Sequence, residues 1–574
     1  MTTHFERFPI VLAIAAALSV GRPMLAQPEA QTPENVLVVI ADDVGVDQLS
    51  CYAEGCDQAC SPLPSCDFPN TPNICDRLAT NGVLFRNAWS NPSCSPTRST
   101  GMTGRYGFRT GVFVAGNTLP CTEITLAEVL KDPLNQPLGY ASAQIGKWHL
   151  SGGNFGCGGL MSCGGATITP ITQGFDHFAG APSNIAGSYF NWQRWEDGAQ
   201  CQSCVAGGSV PECTVQPYAT IVNVNDALEW TQQQAGPWFL WLAFNAPHAP
   251  YQAPPAQCPT GPCHGVTLPV SEGQTCPFDQ SRACYKAMLE ALDHELGRLL
   301  DNLPANTSVI FLGDNGTPGG SPPGIVECPF EPNRAKFSLY EGGINVPLII
   351  SAPRVTDPTV VGTESDALVN ISDVFATVLG LAGAVIPPAI QHDSVSVLPH
   401  LLNPDTHLRS YVFSENNQIT STSYQKTTRD DRFKMLRTPN STAENIEFFD
   451  LAGDPSAVPP EPADPFEDVD LYDDASPSLT QVQQDHFEDL QEQLSFLAGQ
   501  IDACPATLPC TLSGTCQPTP SRCVTTNTGK AACVQSGSLF QCPPRQFIRV
   551  KNCPCRKSGP GAACRSVDQS WFCQ

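Results

Sequence analysis

A chain of 574 residues, 41% of them hydrophobic, is long enough to bury a large core and to hold more than one domain. Its net charge of −25 and its modest 15% of charged residues speak against binding to nucleic acid or to an anionic membrane surface. The 27 cysteines, many set in loops rich in the 54 prolines and 46 glycines, fit a chain that folds outside the reducing cytosol, where disulfides persist.

In chain order, residues 1–26 read as a secretory signal: His4 and Arg7 precede an apolar run from Phe8 to Val20 that is too short to span a bilayer. No later segment has about 18 uninterrupted apolar residues, so no transmembrane anchor is expected and the protein is expected to be secreted or periplasmic. Val36 to Ile40 is a continuous apolar run, as in a strand buried on both faces, and Asp42-Asp43 stands at its carboxyl end. Cys94-Ser95-Pro96-Thr97-Arg98 follows, with Gly101-Met102-Thr103-Gly104-Arg105 close behind. With Pro96 in the first turn of a helix, Cys94 and Arg98 lie four apart on one side of its N-terminus, where the helix dipole and the guanidinium favour an anion. Gly146-Lys147-Trp148-His149-Leu150 ends a strand-like segment, which predicts Lys147 and His149 on one face, a pair suited to a polyanionic group and its proton transfers.

Trp238 to Phe244 is another buried-strand run and leads into Asn245-Ala246-Pro247-His248. Tyr285, Met288, Leu289, Leu292, Leu296, Leu299 and Leu300 fall at helical spacing, with His294 read as surface on that helix. The helix runs into a strand at Ser308–Leu312, which ends on Asp314-Asn315. Gln481 to Leu497 reads as a further helix. Strands alternating with helices predict an α/β sheet. Asp42, Asp43, Asp314 and Asn315 then sit at carboxyl ends of strands, where open α/β sheets place their ligands. An all-oxygen set of this kind suits calcium or magnesium better than zinc; the alternative is a pair of Asx turns that merely end strands.

Cysteine usage divides the chain. Residues 51–328 carry 17, residues 329–503 carry none, and the last 71 carry 10. That tail has eight Lys or Arg and one acid, Asp568, so it is +7 beside a body of −32. It reads either as a disulfide-stapled module that docks on anionic polysaccharide or as a capping module; it has no His, which excludes a mixed Cys/His zinc site. Cys201 and Cys204 read as a structural disulfide. Setting Cys94 aside leaves 26 cysteines, an even number.

Cys-x-Pro-x-Arg with its Thr-Gly-Arg tail resembles the signature of the type I, formylglycine-dependent sulfatases, arylsulfatase-like members of the alkaline phosphatase superfamily. The resemblance runs from about Asn35 to Leu471 through Asp42-Asp43, Gly-Lys-Trp-His, Pro247-His248, Gly313-Asp314-Asn315-Gly316 and Lys336-Phe-Ser-Leu-Tyr340-Glu341-Gly342-Gly343. It implies an alkaline-phosphatase-like α/β sandwich with a large mixed, mostly parallel sheet flanked by helices, a smaller C-terminal α+β subdomain and, outside the resemblance, the disulfide-rich tail. The expected divisions are 33–400, 401–500 and 504–574. It also implies oxidation of Cys94 to formylglycine by a formylglycine-generating enzyme. One Ca2+ is then held by Asp42, Asp43, Asp314, Asn315 and the modified residue 94.

By the same resemblance Arg98 activates the nucleophile, Lys147 and Lys336 take the sulfate oxygens, His248 protonates the leaving alcohol and His149 removes a proton in the second half. The implied substrate is an aryl or carbohydrate sulfate, small or glycan. Asn345, where many members have Arg, and Ser394, where Gly is common, depart from the pattern. Ser183 is the candidate for a serine that some members set on the sulfate. Three other readings share these residues: a phosphoesterase or phosphonate hydrolase of the superfamily, a sulfotransferase-like member, and a non-catalytic binder of sulfated glycans.

Overall fold

The computed structural model describes most of residues 33–501 and three short strands between 522 and 540. The segments 54–66, 152–161, 198–213 and a few shorter stretches lie outside the described residues, as do the signal segment, Cys201, Cys204 and nearly all of the cysteine-rich tail.

A nine-stranded sheet forms the centre. Its strands in chain order are β1 (Asn35–Ala41), β2 (Val83–Trp89), β3 (Ala141–Gly146), β4 (His177–Gly180), β5 (Trp195–Glu196), β6 (Trp238–Ala243), β7 (Thr307–Gly313), β8 (Leu348–Ser351) and β9 (Thr363–Asn370). In space they run β9-β2-β8-β7-β1-β6-β3-β4-β5. β1 pairs in parallel with both β6 and β7, and β3 in parallel with β6 and β4, whereas β8 and β5 are antiparallel to their neighbours.

Alternation along β1 divides its side chains between two cores. Leu37 and Val39 enter one with Tyr285, Met288, Leu292 and Leu296. Val36, Val38 and Ile40 enter the other with Met102, Phe375 and Leu379. Helices thus cover both faces, which is why the central strands are apolar without alternation. The three apolar runs form β1, β6 and β7, and the periodic helix is Ser281–Leu300. The run from Trp238 forms a strand that stops at Ala243, one residue short of the expected Phe244. His294 is only partly buried, with its Nε2 2.9 Å from the Thr260 hydroxyl in an exposed contact.

A second, antiparallel sheet of four strands spans Val412 to Asp450. The helix Gln481–Ile501, longer than the predicted Gln481–Leu497, packs Phe487, Leu490 and Leu494 on its Phe433, Met435 and Phe448. Disulfides staple loops at Cys51–Cys75, Cys258–Cys263 and Cys276–Cys284. Among the described residues no helix is long and apolar enough to cross a membrane.

Candidate active site

The site is assembled where the carboxyl ends of β7, β1, β6 and β3 lie side by side. Asp314 follows β7 in register with Asp42 after β1, and the Asp314 amide donates to the Ala41 carbonyl at 3.2 Å. Asp43 turns out of the strand with φ of 68°, and its amide donates to Asp314 Oδ1 at 3.1 Å. β2, parallel to the same set through β8, delivers the chain to helix α1 (Cys94–Thr103), every residue of which is buried. Pro96 lies in its first turn, and Cys94 and Arg98 do face one side.

Arg98 is the hub. Its Nη2 donates to Asp314 Oδ2 at 2.9 Å and to Asp42 Oδ2 at 3.3 Å, its Nε to Asp314 Oδ2 at 3.2 Å, and its Nη1 to the Lys147 carbonyl at 3.0 Å. The Lys147 ammonium pairs with Asp42, and the Lys336 ammonium pairs with Asp43 and sits 3.7 Å from Cys94 Sγ. Cys94 Sγ is 3.6 Å from Asp42 Oδ1, and His248 Nε2 is 3.9 Å from Asp43 Oδ2. Three buried carboxylates therefore meet three buried cations, which repays part of the large cost of taking each charge out of water.

Lys147 and His149 do not lie on a strand as expected. β3 ends at Gly146, where φ is 90° and an added Cβ would fall 2.0 Å from the Ala243 carbonyl oxygen; the chain then turns, with His149 at φ 60°. Both still belong to the site, because Ser95 Oγ donates to the His149 carbonyl at 2.7 Å and ties that turn to α1. Ser183 lies nearby: its carbonyl accepts from Asn245 Nδ2 at 3.2 Å.

Burial would raise the pKa of Asp42, but Lys147, His248 and Arg98 outweigh it and hold the carboxyl far below the usual range. Burial, with the Asp42 charge beside it, pushes Asp314 up. Burial opposes the Lys336 ammonium, yet the Asp43 carboxylate keeps it protonated beyond its ordinary range. Burial, then Lys147 and Arg98, push His149 well down, so its imidazole is neutral. Burial pushes the Cys94 thiol up to about 12 despite the two lysines. At neutral pH it is a thiol, not a thiolate, and so a weak nucleophile as encoded.

Asp42, Asp43, Cys94 and His248 bring ligand atoms within 4.8 Å of one another. Asn315 Nδ2 donates to Asp43 Oδ1 at 2.9 Å, which leaves Asn315 Oδ1 buried with no hydrogen-bond partner. A bare amide oxygen beside three carboxylates is a hard, oxygen-rich set that fits Ca2+ or Mg2+.

Several supports carry no motif. Tyr189 donates to both the Asn245 and the His248 carbonyls at 2.7 Å, holding the His248 loop, and Tyr285 donates to the Asp43 carbonyl at 2.8 Å. Thr317 accepts from the Gly45 amide at 3.0 Å and donates to Asp47 at 2.6 Å. Only Ser95, inside the Cys94–Arg98 stretch, could have been singled out from sequence.

The fold and this charged cluster define an α/β sandwich with a cation-ready centre at the carboxyl edge of its sheet. The family model "Sulfatase" matches residues 34–384, and "N-sulphoglucosamine sulphohydrolase, C-terminal" matches residues 334–493. The chain belongs to the sulfatase family, the enzymes that hydrolyse sulfate esters. It is 29% identical to human N-acetylgalactosamine-6-sulfatase over 402 residues, 65% of this chain and 66% of that protein. It is 27% identical to human arylsulfatase A over 436 residues, 70% and 73% of the two. The crystal structure of Ps i-CgsB in complex with k-i-k-neocarrahexaose superposes with a TM-score of 0.58 at 20% identity, covering 83% of this chain and 98% of that one. The structure of BT4656 in complex with its substrate D-glucosamine-2-N,6-O-disulfate gives 0.57 at 20% identity, covering 81% and 98%.

Proposed function

We propose that this sulfatase is an exported enzyme that cleaves aryl or carbohydrate sulfate esters to alcohol and inorganic sulfate, using an oxidised Cys94. The observation that carries the reading is the placing of Cys94. It is the one free cysteine among the described residues, buried at the N-terminus of α1 between Asp42 and Lys336, with a thiol too weakly acidic to attack. Formylglycine at this position would supply, as its hydrate, a hydroxyl nucleophile and a second hydroxyl through which the product can be expelled. Asp42, Asp43, Asp314 and Asn315 would hold Ca2+, which supplies Lewis-acid charge to the nucleophile and the sulfate oxygens.

Arg98, fixed by Asp42 and Asp314, stabilises negative charge on an oxygen at position 94. Lys147 and Lys336 neutralise sulfate oxygens as charge redistributes, a preorganised electrostatic contribution. His248, partly exposed at the mouth, gives a proton to the departing alcohol oxygen. His149, kept neutral by its surroundings, takes a proton from the residue-94 hydroxyl in the second half of the cycle. Export is supported by the leading apolar run and the disulfide-stapled loops. Several relatives are named for sulfated amino sugars, which makes such sugars the first substrates to screen.

The test is mass spectrometry of the Cys94 peptide from protein made in its native host, paired with sulfate release from aryl and amino-sugar sulfates. An aldehyde with sulfate release is expected. An unmodified or disulfide-bonded Cys94, or turnover of an aryl phosphate well above that of the aryl sulfate, overturns the reading.

A further inference from the structure

Phe337 stands out at this site for three independent reasons. It is a large apolar side chain left 55% exposed beside buried Lys336. Its backbone sits in the left-handed region at φ 74°, which a bulky residue enters only under constraint. The constraint is visible: its amide donates to the Pro92 carbonyl at 2.9 Å, two residues before Cys94, and its carbonyl accepts from Asn416 Nδ2 at 2.7 Å, from the second sheet. The ring is also placed relative to the chemistry. Lys336 Nζ lies 5.0 Å from the ring centroid and 3.7 Å from Cys94 Sγ, so the ring is no farther from that sulfur than these two distances combined.

An exposed hydrophobic ring costs solubility and gains nothing in the core; here the backbone is locked to present it beside the reactive centre. We infer that Phe337 is a specificity-determining residue, a platform for the flat apolar face of the alcohol part of the substrate, an aryl ring or the C–H face of a sugar. The inference rests on the sulfatase reading for the position of the reacting sulfur. The ring stacks the leaving group, and the Lys336 cation lying over the ring keeps it from turning away. Such contacts act on binding of the alcohol portion and therefore on KM more than on kcat.

The experiment separates the platform from catalysis by using unreactive sulfonates. Phenylmethanesulfonate has the shape of phenyl sulfate with a methylene in place of the ester oxygen; ethanesulfonate lacks the ring. Calorimetric binding is compared for wild type, Phe337→Gly, Phe337→Asn and Phe337→Trp. Gly and Asn both tolerate the left-handed backbone, so loss of the ring is not confounded with loss of the fold. Expected is about a fivefold weakening of phenylmethanesulfonate in the two ring-less variants, ethanesulfonate unchanged within twofold, and near wild-type binding in Phe337→Trp. Equal effects on both ligands, no effect on either, or no binding by wild type would sink the platform.

Turnover then identifies the alcohol: a KM rise in Phe337→Gly for an aryl sulfate alone assigns the ring to aromatic leaving groups, and one for a monosulfated amino sugar alone assigns it to sugars. A wild type that binds phenylmethanesulfonate through Phe337 but releases no sulfate overturns the activity and leaves the platform standing.

Discussion

Cys94 and Arg98 share one turn of helix, and most of the site's electrostatics passes between them. Arg98 holds two carboxylates and one carbonyl with three of its nitrogens, so its geometry is fixed before any substrate arrives. The side chain at 94 sees this fixed charge but cannot use it as a thiol. Cys94→Ser places a hydroxyl there without the second hydroxyl that the proposed chemistry needs for release. The expected outcome is at most one sulfate transferred per chain, seen as a single mass adduct, with no steady-state turnover; sustained turnover would refute the release step. At this scale the sequence was readable where a residue belongs to a contiguous motif, as Cys94 and Arg98 do. Tyr189 and Tyr285 were not readable, because their work depends on contacts with Asn245, His248 and Asp43 that only the folded chain creates.

Helix α1 owes its direction to how it stops. Gly104 ends it at φ 69°, and its amide donates to the Thr100 carbonyl at 2.9 Å, a left-handed cap that suits glycine. A Cβ at that position would lie 2.8 Å from the Phe375 ring. Gly104→Ala should therefore cost roughly 2 kcal/mol in urea denaturation, from left-handed strain plus overpacking, and should lower kcat by tilting residue 94 against Lys336. An unchanged midpoint would mean Phe375 yields freely. The elements themselves were legible where burial is two-sided: β1, β6 and β7 show as unbroken apolar runs. The turn after β3 was not, since nothing in Gly146 to Leu150 reveals that the Ala243 carbonyl crowds Gly146 and bends the chain before Lys147. The spacing of Lys147 and His149 suggested the right company for the wrong geometric reason.

Across the whole molecule several acids are buried without a full complement of cations. Burial pushes Asp293 up to about 6, although the Asn73 and Ile74 amides pull the other way. Burial pushes Glu415 up to about 7 against its hydrogen bonds from Tyr424 and the Phe108 amide, and Glu467 rises in the same way. A carboxyl whose folded pKa exceeds its unfolded value takes up its proton first in the folded state. Its contribution grows as pH falls from the folded value towards the unfolded one near 4, and is absent above pH 7. For Asp293 and Glu415 this is about 2–3 kcal/mol each between pH 7 and pH 4.5. Buried, neutral His149 and His392 work in the opposite sense below pH 6.5. The acids outnumber them, and protonation also relieves a net charge of −25. Thermal unfolding should therefore show a Tm several degrees higher at pH 5 than at pH 8, with a smaller difference in Glu415→Gln. A Tm that falls between pH 8 and pH 5 would mean that the histidines dominate.

The complete burial of α1 sets an order of events. Cys94 is 1% exposed, wedged under Lys336 and walled by Asp42. A maturing enzyme of protein size cannot reach that sulfur once the sheet has closed, so on the proposed chemistry the oxidation belongs to the nascent, still extended chain. Chain collapse is then a deadline: a molecule that folds first is well packed, indistinguishable in shape, and permanently inert.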